Sequence, residues 1–353
     1  MNAPDTNARP DPQTERQAEC QRERMPRITL IDTLRGVALI AMASYHFTWD
    51  LEYFGYVDPG TATSGFFRIY ARLIASTFLF LAGVSLVLAH GRGIRWPAFR
   101  KRLIMVAAAA LLISIATWFI FENEWIYFGI LHNIAVTSVI GLLFISLPWF
   151  VPGLVALAII GTMVTDYALM PGLMDTPLFD SRWLSWIGFA EMPPRSNDYV
   201  PVFPWIAAVL AGMAIAGLVV SRGWHHPLAT LQTKQNVLTR AGRHSLAFYL
   251  IHQPVLLALL YLFSLAYPAP PPDPRLTYVR SCQQSCMGEA NDTKLCTYFC
   301  SCTADRLTAE NLMTPLQNGT ITPQDSRITG MAQECSIMPD PDAAKAGQST
   351  PKP

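Results

Sequence analysis

The segment LIMVAAAALLISIATWFIF, residues 103–121, decides the fold class, because it contains no charged residue over its whole length. The segment PVFPWIAAVLAGMAIAGLVV, residues 201–220, is equally free of charge. About 20 apolar residues in a helix cross the bilayer core of roughly 30 Å. A soluble protein can bury one such helix, but several of them need a membrane as their solvent. The sequence therefore predicts an all-α, polytopic membrane protein.

The rest of the chain agrees with this prediction. Of its 353 residues, 51% are hydrophobic and only 14% are charged, whereas soluble domains carry about a quarter charged residues. We predict a transmembrane domain over residues 28–267, a bundle of about seven spans. The N-terminus is polar through Pro26, and we expect no cleavable signal peptide. The predicted spans are residues 30–50, 69–90, 103–121, 126–147, 152–170, 201–220 and 244–267.

Loop charges predict the orientation, because Lys and Arg accumulate in cytoplasmic loops. The N-terminal tail (1–27) and the loops at 91–102 and 221–243 are basic, whereas the loops at 51–67 and 171–200 carry more acidic than basic residues. This alternation predicts a cytosolic N-terminus and, with seven spans, a C-terminus on the outer side. Basic and aromatic residues are not interleaved as nucleic-acid binding requires, so we expect no nucleic-acid partner.

The C-terminal tail, residues 268–353, is rich in cysteine and opens with PAPPPDP, a stiff linker. Two CysX3Cys pairs would lie on single helical faces, so disulfides could join two helices side by side. Disulfides persist outside the cytosol, the side that the loop charges assign to this tail. A metal site is the alternative, but the tail has no histidine and lacks CxxC spacing, so we predict no metal. Composition after Gln317 indicates partial disorder. The predicted disulfide cysteines, whose pairing the sequence leaves open, are Cys282, Cys286, Cys296, Cys300, Cys302 and Cys335.

The first span, IDTLRGVALIAMASYHFTWD (31–50), is unusually polar. Each ionisable group in a span costs about 2.5–3.5 kcal/mol on insertion scales and therefore needs a reason. Asp32 and Arg35 share one helical face, which fits a structural ion pair. His46 follows on nearly the same face, with a rise of about 16 Å from Arg35. Asp50, one turn after His46, is placed to hydrogen-bond its ring and raise its basicity.

The Arg–X10–His spacing within IDTLRGVALIAMASYHF resembles the opening of the bacterial relatives of heparan-alpha-glucosaminide N-acetyltransferase, a family related to the acyltransferase-3 proteins that O-acetylate surface polysaccharides. Four further stretches are similar in the same order, and the resemblance covers residues 27 to about 265. They are STFLFLAGVSLVLA (76–89), IYFGILHNIAV (126–136), DYVPVFPWIAAVLAGMAI (198–215) and SLAFYLIHQPVLLALL (245–260).

The resemblance implies acyl transfer from cytosolic acetyl-CoA, or a related thioester, to a periplasmic or cell-envelope glycan at a bacterial inner membrane. Arg35 and His46 match the family positions, which makes His46 the expected acyl acceptor or general base, with Asp32 and Asp50 beside them. The active histidine of the lysosomal enzyme is assigned to the loop after the first span, but loop 51–67 here has no histidine. The chemistry is therefore expected at His46, and heparan glucosamine is not the expected substrate.

Three further groups of polar residues have both a structural and a functional interpretation. Basic residues after the second span are ordinary topology signals, or they capture the phosphates of CoA. Histidines in the later spans are ordinary interhelical hydrogen-bonding groups, or they line a substrate tunnel. Two arginines at the outer start of the second span snorkel, or they meet an anionic acceptor. The predicted donor-binding residues are Arg35, Arg95, Arg100 and Arg102, and the predicted tunnel residues are His132, His252, Arg68 and Arg72.

The sequence is also compatible with two other functions. A transporter would use Arg35 and His46 as a substrate or proton path, although the sequence has no clear internal repeat. A membrane-anchored scaffold would bind a partner through the cysteine-rich tail and leave Arg35 and His46 without a role. The lipid bilayer is a partner under every interpretation, and the sequence does not set the oligomeric state.

Overall fold

The computed structural model describes residues 28–91, 93–170, 172–230, 236–271, 273–290 and 293–337. The predicted cytosolic tail, residues 1–27 with Cys20, lies outside the described residues. Across the described ranges the secondary structure is helical, with no β-strand. The chain divides into two compact units, on either side of the boundary between Tyr267 and Pro268.

The described part of the first unit contains nine α-helices. Two short 3-10 turns, Pro177–Phe179 and Ser185–Ile187, lie in the long loop before the sixth helix. The helices are α1 Thr29–Tyr53, α2 Gly65–His90, α3 Trp96–Ile120, α4 Ile130–Leu142, α5 Phe150–Ala168, α6 Val202–Ser221, α7 His225–Thr230, α8 Val237–Arg243 and α9 Ser245–Ala266.

Five helices of the described chain, namely α2, α3, α5, α6 and α9, are long and apolar enough to cross a membrane. Large apolar side chains cover their outer faces, and Phe119 on α3 is 82% exposed. Exposed apolar surface of this extent suits lipid rather than water. The all-α, multi-pass membrane architecture predicted from the sequence is confirmed.

The other two predicted spans differ from the expectation of full apolar crossings. Helix α4 has only 13 residues, about 20 Å of helix, which is shorter than the bilayer core. The predicted fourth span began at residue 126, but residues 126–129 are not helical: the Ile126 carbonyl accepts from Ser114 Oγ at 2.6 Å, and the Phe128 carbonyl accepts from Val200 N–H at 3.1 Å. Helix α1 has sufficient length, but its charged residues exclude it from the five apolar spans.

Close helix packing builds the centre of the first unit. Helices α2 and α6 meet where a Cβ on Gly83 would collide with the Val209 carbonyl. Small residues of this kind let membrane helices approach closely. Around this contact lie the fully buried side chains Leu79, Leu86, Leu210 and Met213.

The long loop before α6 folds back onto the bundle instead of extending away from it. Trp186 packs against Phe128, with ring centroids 5.7 Å apart. The Tyr199 hydroxyl donates to the Ser185 carbonyl at 2.6 Å, and Asn197 N–H donates to the Glu124 carbonyl at 2.9 Å. These bonds fasten residues 194–200 against the start of α4.

The second unit is a small disulfide-linked helical domain. Its helices are α10 Pro274–Ala290, α11 Thr293–Ala309, α12 Met313–Gln317 and α13 Ser326–Cys335. A core of Ala304, Leu307, Leu312, Met313 and Met331 lies between them. Helix α13 falls within the segment after Gln317, where composition indicates partial disorder.

All six tail cysteines form disulfides, as predicted. Two nested bonds join α10 to α11 side by side, and the third fixes α13 to α11. Because every one of these thiols is oxidised, none remains as a metal ligand. The pairs are Cys282–Cys300, Cys286–Cys296 and Cys302–Cys335.

Candidate active site

Helices α1 and α9 bring two histidines together inside the bundle. The rings of His46 on α1 and His252 on α9 are 5.0 Å apart between centroids. Tyr45 meets the His46 ring edge-on at 5.6 Å. We call the four residues His46, Asp50, His252 and Gln253 the histidine seam. The sequence offered His252 as an interhelical hydrogen-bonding group or a tunnel residue and did not predict that it would adjoin His46.

Asp50 forms a different contact from the one predicted. Its Oδ1 accepts a hydrogen bond from Gln253 Nε2 on α9 at 2.6 Å, and its side chain is fully buried. The predicted hydrogen bond from Asp50 to His46 is therefore replaced by a contact between helices. Asp50 lies one helical turn after His46, but its carboxylate turns toward the side-chain amide of Gln253 on α9 instead of the His46 ring.

Arg35 lies in a cluster of basic side chains contributed by α1, α3 and α8. Its guanidinium is 3.4 Å from Asp32 Oδ1 and donates a short hydrogen bond to Ser85 Oγ. Arg243 Nε lies 3.7 Å from the other oxygen of Asp32. Arg102 is half-buried and close enough to Arg35 for the two charges to repel. We call Arg35, Arg102 and Arg243 the arginine cluster.

The arginine cluster and the histidine seam occupy different levels of α1. Arg35 and His46 are about three helical turns, or some 16 Å, apart along the axis. Arg35 contacts α2, whereas His46 contacts α9. The Asp32–Arg35 ion pair is present as predicted from their spacing.

The remaining predicted donor-binding arginines lie apart from this cluster. Arg95 and Arg100 are exposed. The backbone N–H of Arg95 donates to His90 Nδ1 at 3.2 Å, which ties the start of α3 to the end of α2. Among the described basic residues at 95–102, Arg102 is therefore the one that reaches inward.

His132 has a structural role in this arrangement. Its Nδ1 accepts from the Gly129 backbone N–H at 3.2 Å, and its Nε2 lies 3.2 Å from Ser114 Oγ. Asn133 is fully buried and donates to the carbonyls of Val200 and Pro201 at 3.1 and 2.8 Å. These bonds hold the start of α4, so the structural interpretation of His132 fits the geometry better than tunnel lining.

The predicted tunnel arginines do not reach the seam. Arg68 and Arg72 are exposed on α2, which suits the snorkelling interpretation. A cavity of about 260 Å³ lies elsewhere, between α2, α6 and the turn at residues 143–149. Its lining is mostly apolar and includes Val87, Trp149 and Met213.

Asp198 is a half-buried carboxylate that the sequence prediction missed. Its Oδ2 accepts the Ile130 N–H at the first turn of α4, at 3.0 Å. It also interacts electrostatically with Tyr45 on α1 and Tyr249 on α9. Burial raises the pKa of Asp198 to about 6, against the opposing effect of the Ile130 hydrogen bond. A charged residue at the head of the apolar segment 198–215 was the available signal.

Gln253 was also missed, although a glutamine beside Pro254 in an apolar span is unusual. Its partner Asp50 is 203 positions away in the sequence, so the pair depends on how α9 is aligned with α1. No local pattern encodes that alignment.

A comparison with known protein families identifies the family of the chain. Residues 27–254, well over half of the chain, match the family described as heparan-alpha-glucosaminide N-acetyltransferase, catalytic. The match includes the arginine cluster and all four residues of the histidine seam. Searches of curated proteins and of solved structures return no significant match. The chain therefore belongs to the heparan-alpha-glucosaminide N-acetyltransferase catalytic family.

Proposed function

We propose that the protein transfers an acetyl group, or a similar acyl group, from cytosolic acetyl-CoA to a glycan of the cell envelope. One observation carries the proposal. A single helix, α1, presents Arg35 to a cluster of cations at one level and His46 to a second histidine at another, and the two residues have the Arg–X10–His spacing on which the family resemblance rests.

The arginine cluster suits the donor's phosphates. Guanidinium groups form strong, charge-assisted hydrogen bonds with phosphate oxygens. Asp32 lies between Arg35 and Arg243 and holds both in place. The pantetheine arm of acetyl-CoA is long and narrow, which suits it to the distance of about 16 Å that separates Arg35 from His46 along α1.

The histidine seam suits the acyl-transfer step. In the proposal, His46 contacts the thioester and acts as acyl acceptor or general base. Asp50 is a positioning residue that fixes α9 against α1 through Gln253. The low-dielectric surroundings strengthen electrostatic interactions and exclude water that would hydrolyse the thioester.

We further propose that the protein lies in a bacterial inner membrane with its N-terminus in the cytosol and its tail outside. Positive charge in alternate loops supports this orientation. Three disulfides in the tail also support it, because such bonds persist in oxidising compartments. In this arrangement the domains are the cytosolic tail (1–27), the membrane domain (28–267) and the periplasmic tail (268–353).

The test is turnover of radiolabelled acetyl-CoA by the purified protein in nanodiscs, with Arg35→Ala and His46→Ala as variants. We expect the wild type to bind acetyl-CoA and release CoA. Arg35→Ala should weaken donor binding, and His46→Ala should bind the donor but lose turnover. Unchanged turnover in His46→Ala would contradict the proposed role, and a wild type that does not bind acetyl-CoA would favour a transporter.

A further inference from the structure

Three buried polar atoms of the histidine seam have no hydrogen-bond partner among the described residues. They are Asp50 Oδ2, Gln253 Oε1 and His252 Nε2. Asp50 is 0% exposed and His252 is 9% exposed. A buried polar group left without a partner costs about 1–3 kcal/mol. Three such atoms in one seam between two helices therefore point to a missing ligand.

The neighbouring contacts determine what each atom can do. His252 Nδ1 lies 2.8 Å from the Tyr249 carbonyl oxygen. A carbonyl oxygen only accepts, so Nδ1 carries the hydrogen and Nε2 of the neutral ring presents a lone pair. Gln253 points its NH₂ group at Asp50, which leaves its Oε1 as an acceptor. Asp50 Oδ2 is an acceptor as well. All three atoms therefore require hydrogen-bond donors from the ligand.

We propose that the histidine seam binds the reacting hydroxyl or amino group of the acyl acceptor and that His252 is its general base. An acceptor with neighbouring O–H or N–H groups supplies several donors at once and fits a set made only of hydrogen-bond acceptors. This inference rests on the proposed acyl transfer and deepens it, because it locates the acceptor in the seam and gives the base role to His252. His46, with its ring 5.0 Å away, then remains the neighbour of the acyl group.

The step balances without any further reactant. His252 Nε2 takes the proton from the acceptor's O–H or N–H while that oxygen or nitrogen attacks the thioester carbonyl carbon. The new C–O or C–N bond forms, the C–S bond breaks, and the electron pair leaves with the sulfur of CoA. The proton on His252 then passes to the thiolate, which gives CoA–SH and the acylated acceptor. The Nδ1–H bond to Tyr249 holds the ring in the required tautomer throughout.

The experiment uses the full chain in nanodiscs with glucosamine and glycerol as the amine and hydroxyl probes. The variants are His252→Ala and Asp50→Asn. The control is His244→Gln, which removes an exposed histidine at the start of the same helix. Acetyl-CoA binding and probe acetylation are measured separately for each protein, and added imidazole is tested for rescue.

We expect His252→Ala to bind acetyl-CoA normally and to lose acetylation by roughly 10²–10⁴-fold, the usual contribution of a general base. Imidazole should restore part of that activity, which a purely structural defect would not allow. Asp50→Asn should raise the KM for the probe more than it lowers kcat. His244→Gln should behave as the wild type.

Three results would overturn the inference. The first is full acetylation by His252→Ala. The second is a loss in His252→Ala that imidazole does not restore. The third is a wild type that binds acetyl-CoA but acetylates neither probe, since the seam would then not be a hydroxyl or amine site. A wild type that fails to bind acetyl-CoA contradicts the proposed function itself, so the two failures are distinguishable.

Discussion

At the scale of single residues, the sequence predicted which polar residues share a face of the first span, but not which residues of other helices they contact. The spacing of Asp32, Arg35 and His46 follows from helical geometry alone, and the ion pair between the first two is present. The contacts of His252 and Gln253 with α1 depend on the position of α9 along α1, which is set by tertiary packing. For the same reason the prediction of an Asp50–His46 hydrogen bond was wrong, because the Asp50 carboxylate bonds to Gln253 on α9.

Arg102 provides a test of donor binding at this scale. It is half-buried beside Arg35, whereas its neighbour Lys101 is exposed. Hydrogen bonds to charged groups contribute about 1.5–3 kcal/mol, so Arg102→Ala should weaken acetyl-CoA binding by roughly 10- to 100-fold. Lys101→Ala should leave the Kd nearly unchanged. Calorimetric titration of both variants checks this, and equal losses in the two would indicate nonspecific attraction instead of a defined site.

Asp198 provides a test through pH. Its folded-state pKa of about 6 lies above the ordinary value of about 3.9, so the folded protein binds this proton more tightly than the unfolded chain does. Stability therefore falls as the pH rises from about 4 through about 6. Asp198→Asn removes the charge but keeps an oxygen for the Ile130 N–H.

We expect Asp198→Asn to melt at a higher temperature than the wild type at pH 7.5, with the difference disappearing near pH 4. Thermal unfolding in detergent across this range measures the effect. Glu122→Gln, at an exposed position in the loop between α3 and α4, is the control. A melting-temperature difference between the variant and the wild type that grows toward low pH would contradict the raised pKa of Asp198.

At the scale of elements, apolar run length predicted which segments become helices, but not where each of them ends. Helix α4 begins later than predicted because the residues before it bond to Val200 and to Ser114. These partners are distant in sequence, and no local pattern around residue 126 reports them. The half-length helix is compatible with a membrane because its non-helical ends are held by the surrounding protein.

The contact between α2 and α6 makes a prediction at this scale. A Cβ on Gly83 would run into the Val209 backbone, whereas Gly161 on α5 has open space around its Cα. Replacing glycine by alanine in an open helical position is favourable by roughly 0.5–1 kcal/mol. We therefore expect Gly83→Ala to lower the melting temperature and Gly161→Ala to leave it unchanged or raise it slightly. Equal melting temperatures for the two variants would contradict the close packing.

At the scale of the whole molecule, composition predicted two kinds of structure in one chain, a membrane domain and a disulfide-linked tail. Apolar segments indicated a membrane bundle, and an even number of clustered cysteines indicated a disulfide-linked tail. The pairing itself was beyond the sequence, because it depends on how α10 and α11 lie side by side. Among the described residues, five helices are long and apolar enough to cross a membrane, together with the polar helix α1 and the short helix α4.

The Cys302–Cys335 bond provides a test of the tail. It closes a loop with a sequence separation of 33, and loss of a native disulfide from a small domain costs about 2–5 kcal/mol. The double variant Cys302→Ser with Cys335→Ser should make the tail more sensitive to protease while acetyl-CoA binding stays unchanged. In intact cells, an impermeant thiol probe should label the wild-type tail from outside only after reduction. Labelling of the tail without reductant would contradict the bonded state.

The most direct test of the central claim, acyl transfer across a membrane, uses sealed proteoliposomes. Acetyl-CoA labelled in the acetyl group is supplied outside, and glucosamine is trapped inside. We expect labelled N-acetylglucosamine inside the vesicles and free CoA outside. Neither product should form with the His46→Ala variant. Intact acetyl-CoA inside the vesicles would indicate a transporter, and labelled product confined to the donor side would contradict transfer across the membrane.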